Sequence, residues 1–306
     1  MSSIEDAVAT IRPGDVVHVA PYSTTPYSLC AGLKIRVLKG DLSGIRVDHP
    51  AAFFSWTDEG MVGAVELHDN YATPPNRAAC HAGEMEYLPV GMWQSYEIPA
   101  GFHQNPDVFL VPVSPPDERG FCSFGHGVWL SKAVARRAKR IIAEVRPDFI
   151  RTFGDNYIHV DEIDLFVEAE PSAGANMEAP EPSAEEVAHV EVINTLVAAE
   201  LVNDGDTLQM GVGTVSGALA NYLGFRNDLG IQTELITGGV AALVEKGVVT
   251  GTRKTLNRHK VVGSACVALD QEELSQIHMN PHFELYDFGY TDDLRHLIQQ
   301  ENFVAV

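Results

Sequence analysis

Strand-like apolar runs alternating with helix-length segments predict an α/β protein built on two open, mainly parallel sheets. Three observations carry this expectation. The 306 residues are 45% hydrophobic, enough for two cores at about 100 to 200 residues per domain. The succession DVVHVAP, DVFLVPV, a helical VWLSKAVARRAKR and then IIAEV has the rhythm of parallel strands joined by crossover helices. The stretch EAEPSAGANMEAPEPS, Glu168 to Ser183, is rich in Pro, Ala, Glu and Gly without periodicity and reads as a linker. The expected organisation is an N-terminal domain at residues 1–170, a linker at 171–184 and a C-terminal domain at 185–306.

The second domain opens with a helix. Ser183 and Glu186 form an S-x-x-E capping box, followed by an apolar stripe at Val187, Val190, Ile193, Val197 and Leu201. Strand candidates then recur at DTLQM, IQTELI, KVVGSACVA, FELYDF and NFVAV, separated by helix-length GGVAALVEKG and DQEELSQIHM. The sequence stops inside the apolar run NFVAV, whereas chain termini usually lie at solvated surfaces. A domain incomplete at its end is therefore expected.

A formal net charge of −21 disfavours nucleic acid and anionic membranes as partners. Cys30, Cys80, Cys122 and Cys266 are far apart with no C-x-x-C spacing, which suits a reduced, cytoplasmic protein. MSSIEDAVATIRPGD lacks the basic and apolar regions of a secretory leader, and no apolar run reaches the roughly 18 residues that span a bilayer.

The most informative segment is GVGTVSG, Gly211 to Gly217, after the strand-like DTLQM, with Glu234 arriving downstream in TELITGG. Two chemistries fit. Gly211, Gly213 and Gly217 approximate a dinucleotide fingerprint, with Glu234 about 20 residues on where a ribose-binding acid would lie, as in an NAD(P)-binding oxidoreductase. Alternatively, the loop amides of Gly211 to Thr214 form an oxyanion site for a carbonyl under attack by Glu234. The helix-opening Gly-Gly turn that follows Glu234 in TELITGG mildly favours the second. Taken alone, Glu234 is as readily a hydrogen-bonded acid at a strand end.

Other motifs separate these readings. SPPDERGFCSFG (Ser114 to Gly125), IRTFGDNYIHVDEID (Ile150 to Asp164), GVGTVSG, TELITGG and EKGVVTGTRKTL (Glu245 to Leu256) occur in one order. Together they resemble the acetyl-CoA hydrolase/transferase family, which contains 4-hydroxybutyrate CoA-transferase, from DVVHVA to NFVAV. The resemblance implies two domains of the CoA-transferase type and places the family's nucleophile on Glu234. It implies transfer of CoA from a short-chain acyl-CoA to a carboxylate acceptor through a glutamyl-CoA thioester, with no permanently bound cofactor. The family loop that holds the thioester end of CoA maps onto Gly211, Val212, Gly213, Thr214 and Val215. A homodimer is expected by the same resemblance, or association with a partner subunit; hydrolysis at the same site and a non-catalytic subunit are the alternatives. Departures are Ser216 for a usual proline, Gly238 for an acid and Arg146 for an asparagine. Relatives continue past NFVAV with segments that complete the domain and much of the CoA pocket.

Weaker signals have plainer explanations. SPPDERGF needs only a turn. The run Arg136, Arg137, Lys139 and Arg140 reads as a solvated helix face, and Arg253, Lys254 and Lys260 are equally ambiguous. His278 and His282 stand four apart, but Pro281 breaks any helix presenting both. No metal is expected, and Cys122 reads as a small hydrophobe.

Overall fold

A computed structural model of the chain describes residues 1–91, 105–170, 183–267 and 269–306. The linker expected at 171–184 lies, apart from Ser183 and Ala184, outside the described residues. Two compact units divide the chain. One comprises Met1–Gly125, Leu130–Phe149 and Tyr157–Asn176, the other His126–Trp129, Ile150–Asn156 and Met177–Val306. Among the described residues, no helix is long and apolar enough to cross a membrane.

The first unit contributes β1 (Val16–Val19), β2 (Ile45–Asp48), β3 (Val65–Asp69), β4 (Glu86–Tyr87), β5 (Val108–Val113), β6 (Phe121–Ser123) and β7 (Ile141–Val145). After β8 (Phe153–Gly154), which belongs to the other unit, come β9 (Tyr157–His159) and β10 (Leu165–Glu168). Seven of these form a parallel sheet in the order β10-β7-β5-β1-β2-β3-β4, while β6 and β9 pair antiparallel. Every residue of β5 and of β7 is buried, as expected of central parallel strands covered on both faces. That explains the unbroken apolar runs DVFLVPV and IIAEV.

The helices of this unit are α1 (Ile4–Ala9), α2 (Tyr27–Leu38), α3 (Arg77–Ala82) and α4 (Ser131–Ala135). α2 has proline at its N-cap and no side-chain cap of its own. The deficit is met from β7, where buried Glu144 accepts from the amides of Ser28 at 2.9 Å and Leu29 at 3.1 Å. The helix expected over VWLSKAVARRAKR is cut to the five residues of α4. The basic run is therefore not a helix face: Lys139 pairs with Asp107 at 2.7 Å and Arg140 with Asp15 at 3.5 Å as the chain turns into β7.

The second unit holds β11 (Thr207–Gln209), β12 (Gly230–Gln232), β13 (Leu235–Ile236), β14 (Val261–Gly263), β15 (Ala265–Cys266), β16 (Phe283–Leu285) and β17 (Phe303–Ala305). Its helices are α5 (Ala184–Leu196), α6 (Val240–Glu245), α7 (Gln271–Ile277), α8 (Phe288–Thr291) and α9 (Leu294–Leu297). A parallel sheet runs β17-β11-β12-β14-β16-β8, and β13 pairs with β15. The short β8 comes from the IRTFGDNY motif; Gly154 adopts φ +93° against the backbone of Leu285.

The Ser183–Glu186 capping box forms on α5, and α7 carries a second box between Asp270 and Glu273. The predicted stripe on α5 is corrected by the structure. Val187, Ile193 and Leu201 are 49%, 42% and 61% exposed, whereas Asn194 and Ala198 are buried. Apolar residues occupy most faces of this segment, so its pattern does not single out the packed one. Small Ala198 and hydrogen-bonding Asn194 do.

Candidate active site

Both strands predicted as continuous around Glu234 are interrupted. IQTELI becomes β12 and β13 with a break at Thr233 and Glu234, and KVVGSACVA becomes β14 and β15 with a break at Ser264. The pairing offset is unchanged across the gap, since Ile231 faces Val261 and Leu235 faces Ala265. Glu234 thus sits at a bend opposite Ser264, whose amide donates to the Glu234 carbonyl at 2.8 Å.

The neighbouring strand brings the glycine loop alongside. Thr207 faces Gly230 and Leu208 faces Ile231, and the same register carried forward sets Gly211 beside Glu234. Both lie just beyond the carboxyl ends of adjacent parallel strands, where open α/β sheets receive ligands. Buried Thr233 fastens the two: its hydroxyl accepts from the Met210 amide at 3.1 Å and lies 2.9 Å from the Met210 carbonyl and 3.2 Å from that of Leu235.

Within the loop, the amides have unequal duties. That of Gly211 donates to the Val306 carbonyl at 3.1 Å, so it is not available to a ligand, contrary to its grouping with the candidate donors. No described group accepts from the amides of Val212, Gly213, Thr214 and Val215. Gly213 has φ +118° with open space where a Cβ would project, a conformation that glycine permits at low cost. Val212, Gly213 and Thr214 are exposed. Ser216, where the family loop has proline, is the first residue of a 3₁₀ helix, Ser216–Tyr222. The loop is tied from behind by buried Asn194 of α5, whose Nδ2 donates to the Val215 carbonyl at 3.0 Å.

The Glu234 side chain is partly buried and has no hydrogen-bond or ion-pair partner among the described residues. Burial raises its pKa above the ordinary carboxylate value. Gly238 and Gly239 then form the expected turn, Gly239 at φ +88° capping α6. A second acid, not singled out in the sequence, lies within electrostatic reach. Burial first and the charge of Glu234 second push Asp292 up to about 8. Its sequence context, T-D-D at the end of the four-residue α8, gives no local signal of this position.

The remaining candidates are dispersed. Lys254 is not a surface cation: it is 2% exposed, and its Nζ donates to the carbonyls of Ile231 at 2.7 Å and Lys260 at 2.9 Å. Arg253 meets Asp228 at 3.4 Å and Lys260 meets Glu284 at 3.3 Å. His278 accepts from the Arg151 amide, while His282 contacts the His259 carbonyl. Cys122 is buried on β6. A separate cavity of about 870 Å³ lies in the first unit between α1 and α2, lined by Ile4, Tyr27, Arg36 and Phe54 among others and remote in sequence from these groups.

Comparison with known proteins adds the following. Residues 54–175 match the acetyl-CoA hydrolase/transferase N-terminal domain, a stretch that ends before the glycine loop. The 4-hydroxybutyrate coenzyme A transferase of Clostridium kluyveri is 32% identical over 273 residues, 88% of this chain and 61% of that protein. A succinyl-CoA:acetate/propanoyl-CoA:succinate CoA transferase of Fasciola hepatica is 28% identical over 308 residues, 100% of this chain and 63% of that one. The chain thus spans less than two thirds of the length of these two relatives. The crystal structure of RipA from Yersinia pestis superposes with a TM-score of 0.87 at 29% identity, covering 99% of this chain and 70% of that chain. The 4-hydroxybutyrate CoA-transferase of Porphyromonas gingivalis shares the fold, with a TM-score of 0.77 at 24% identity over 99% of this chain and 71% of that chain.

Proposed function

From the premise that the chain belongs to the acetyl-CoA hydrolase/transferase family, we propose that it moves CoA from a short-chain acyl-CoA to a carboxylate acceptor through a thioester on Glu234. The observation that carries this reading is a partly buried carboxylate without a partner among the described residues, set beside a loop whose amides, also unengaged among those residues, lie beyond the end of the adjoining strand.

The chemistry follows from that arrangement. A carboxylate stripped of partners and partly desolvated is a stronger nucleophile than one in water. The Glu234 oxygen attacks the thioester carbonyl, and the amides of Val212 to Val215 take the charge that develops on the carbonyl oxygen. The CoA thiolate leaves, giving a mixed anhydride. It then attacks the Glu234 carbonyl and expels the donor's carboxylate, leaving a glutamyl-CoA thioester. An incoming carboxylate reverses these steps and departs as the new acyl-CoA. Remote contacts with the long CoA molecule supply binding energy to the reacting centre.

Two relatives support the reading by their names, a 4-hydroxybutyrate coenzyme A transferase and a succinyl-CoA:acetate/propanoyl-CoA:succinate CoA transferase. The test is incubation with acetyl-CoA followed by borohydride, with peptide mass spectrometry to find the reduced residue. Modification at Glu234, absent in Glu234→Gln together with label exchange between acetate and acetyl-CoA, is the expected result. Unmodified protein that still exchanges label would refute it. Release of free CoA without a carboxylate acceptor would instead assign hydrolysis to the same site, a course favoured by the exposure of Val212 to Thr214.

A further inference from the structure

Three oxygen contacts lead away from Asp292 through buried side chains. The carboxyl Oδ2 lies 3.2 Å from Thr291 Oγ1, which lies 2.7 Å from Ser264 Oγ, which lies 2.8 Å from the Tyr286 carbonyl. Thr291 and Ser264 are 1% and 0% exposed. A carbonyl only accepts, so the Ser264 hydrogen goes to Tyr286 and the Thr291 hydrogen goes to Ser264. With both hydroxyl hydrogens so placed, the 3.2 Å contact is a hydrogen bond only when Asp292 carries a hydrogen; an ionised Asp292 accepts from Thr291 instead, and one of the three contacts is left unmade.

The other end of this chain is Glu234. Ser264 lies opposite it across the interrupted strands and donates its amide to the Glu234 carbonyl at 2.8 Å. Neither carboxylate has a cationic partner among the described residues. The charged groups felt at Asp292 are Glu234 and Asp287, both negative, while neighbouring Asp293 is satisfied by Arg295 at 2.8 Å. Two desolvated carboxyls that feel each other's charge, with no cation beside either among the described residues, are disfavoured from both ionising at neutral pH.

We propose that Asp292 is a positioning residue that keeps its proton while Glu234 is the free anion and releases it to solvent when Glu234 becomes a thioester. The proposal rests on Glu234 as the acylated residue. The balance is simple: converting the Glu234 carboxylate into a neutral thioester expels the donor carboxylate and removes one negative charge from the protein. Part of what held the proton on Asp292 disappears with it, and the proton departs. When an acceptor carboxylate regenerates Glu234, Asp292 takes a proton back. The local charge near the reacting carbon therefore stays close to −1 through the cycle, which limits the repulsion met by an incoming anion.

The experiment mixes the chain with acetyl-CoA in weak buffer containing a pH indicator, at pH 7.5, and scores the thioester on Glu234 by borohydride trapping in the same sample. The expected result is release of up to roughly three quarters of a proton per trapped thioester, the fraction that a carboxyl with a midpoint of about 8 holds at that pH. The acylation rate of the unsubstituted chain is expected to fall above pH 8, and Asp292→Asn should eliminate both that fall and the proton release. Thioester formed with no proton release, or an identical pH profile in Asp292→Asn, overturns the inference and leaves the Glu234 reading intact. No thioester at all overturns both. Carboxyl-carbon NMR titration checks the coupling without turnover: Glu234→Gln should lower the Asp292 midpoint, and an unmoved midpoint refutes it.

Discussion

Thr233→Val tests whether the glycine loop and Glu234 act as one unit. Thr233 and Met210 are both 0% exposed, and the Thr233 hydroxyl is the acceptor for the Met210 amide at 3.1 Å. Valine keeps the shape and removes that acceptor. A buried amide left without a partner costs about 1 to 3 kcal/mol. Loss of the one hydroxyl hydrogen shared between the Met210 and Leu235 carbonyls adds about 0.5 to 1 kcal/mol. The sum, about 1.5 to 4 kcal/mol, corresponds to a fall in Tm of roughly 3 to 16 °C for a unit of this size. The kinetic effect should exceed the thermal one. A displacement of about 1 Å between nucleophile and oxyanion donors can cost about 100-fold in rate, and Met210 directly precedes the loop. Thermal unfolding and the rate of Glu234 acylation by acetyl-CoA are the two assays. Thr233→Ser, which loses a methyl group and keeps the hydroxyl, should retain the rate while losing about 1 kcal/mol of stability. If Thr233→Val acylates within twofold of the parent, the strand-end clasp does not set the geometry of the site.

Three further outcomes follow from the same structure. Asn194→Ala removes the donor to the Val215 carbonyl and should raise KM for acyl-CoA about tenfold, the worth of one hydrogen bond, with a smaller change in kcat in steady-state assays. Gly154→Ala sets a Cβ 2.3 Å from the Leu285 carbonyl oxygen at φ +93°; backbone cannot yield as a side chain does, so a loss of about 3 kcal/mol is expected in thermal unfolding. Asp292 holds its proton in the folded chain up to about pH 8, against an ordinary value of 3.8, so unfolding between these values releases a proton and stability falls as pH rises, by up to about 1.4 kcal/mol per pH unit. Asp292→Asn should flatten that slope in urea titrations at pH 5 and pH 8.

What was legible in the sequence follows the reach of each signal. Local signals translated directly: the Ser183–Glu186 box caps α5, the Gly238–Gly239 turn opens α6, and unbroken apolar runs became the buried β5 and β7. Signals that depend on a partner strand did not. A continuous apolar run carries no mark where its ladder is interrupted, so the breaks at Thr233–Glu234 and Ser264 were hidden. β2, β3 and β4 were missed because Asp48, His68, Asp69 and Glu86 interrupt the apolar pattern, although the first three of these are buried. The loop and Glu234 were found by motif; their adjacency came from the pairing register of β11 with β12. Asp292 is joined to the site through Thr291 and Ser264 and through the charge of Glu234, which sequence distance conceals.

The strongest argument for Glu234 is how the chain treats its other enclosed acids, Asp292 apart. Asp48 is neutralised by Arg46 at 2.6 Å, and Asp69 accepts from the amides of Ala51, Ala52 and Tyr71. Glu144 caps α2, Asp293 holds Arg295, and Glu284 has Lys260 at 3.3 Å. Each offsets the cost of desolvating a carboxylate with donors or a cation. A protein with 42 acidic residues against 21 Lys and Arg has few cations to spend, and backbone amides take up much of the task. At Glu234 amides stand free nearby in the Val212–Val215 loop, yet none is bonded to the carboxylate. A structural acid would be expected to close on them. One left open, desolvated and beside unengaged donors is arranged for a carbonyl to enter between them.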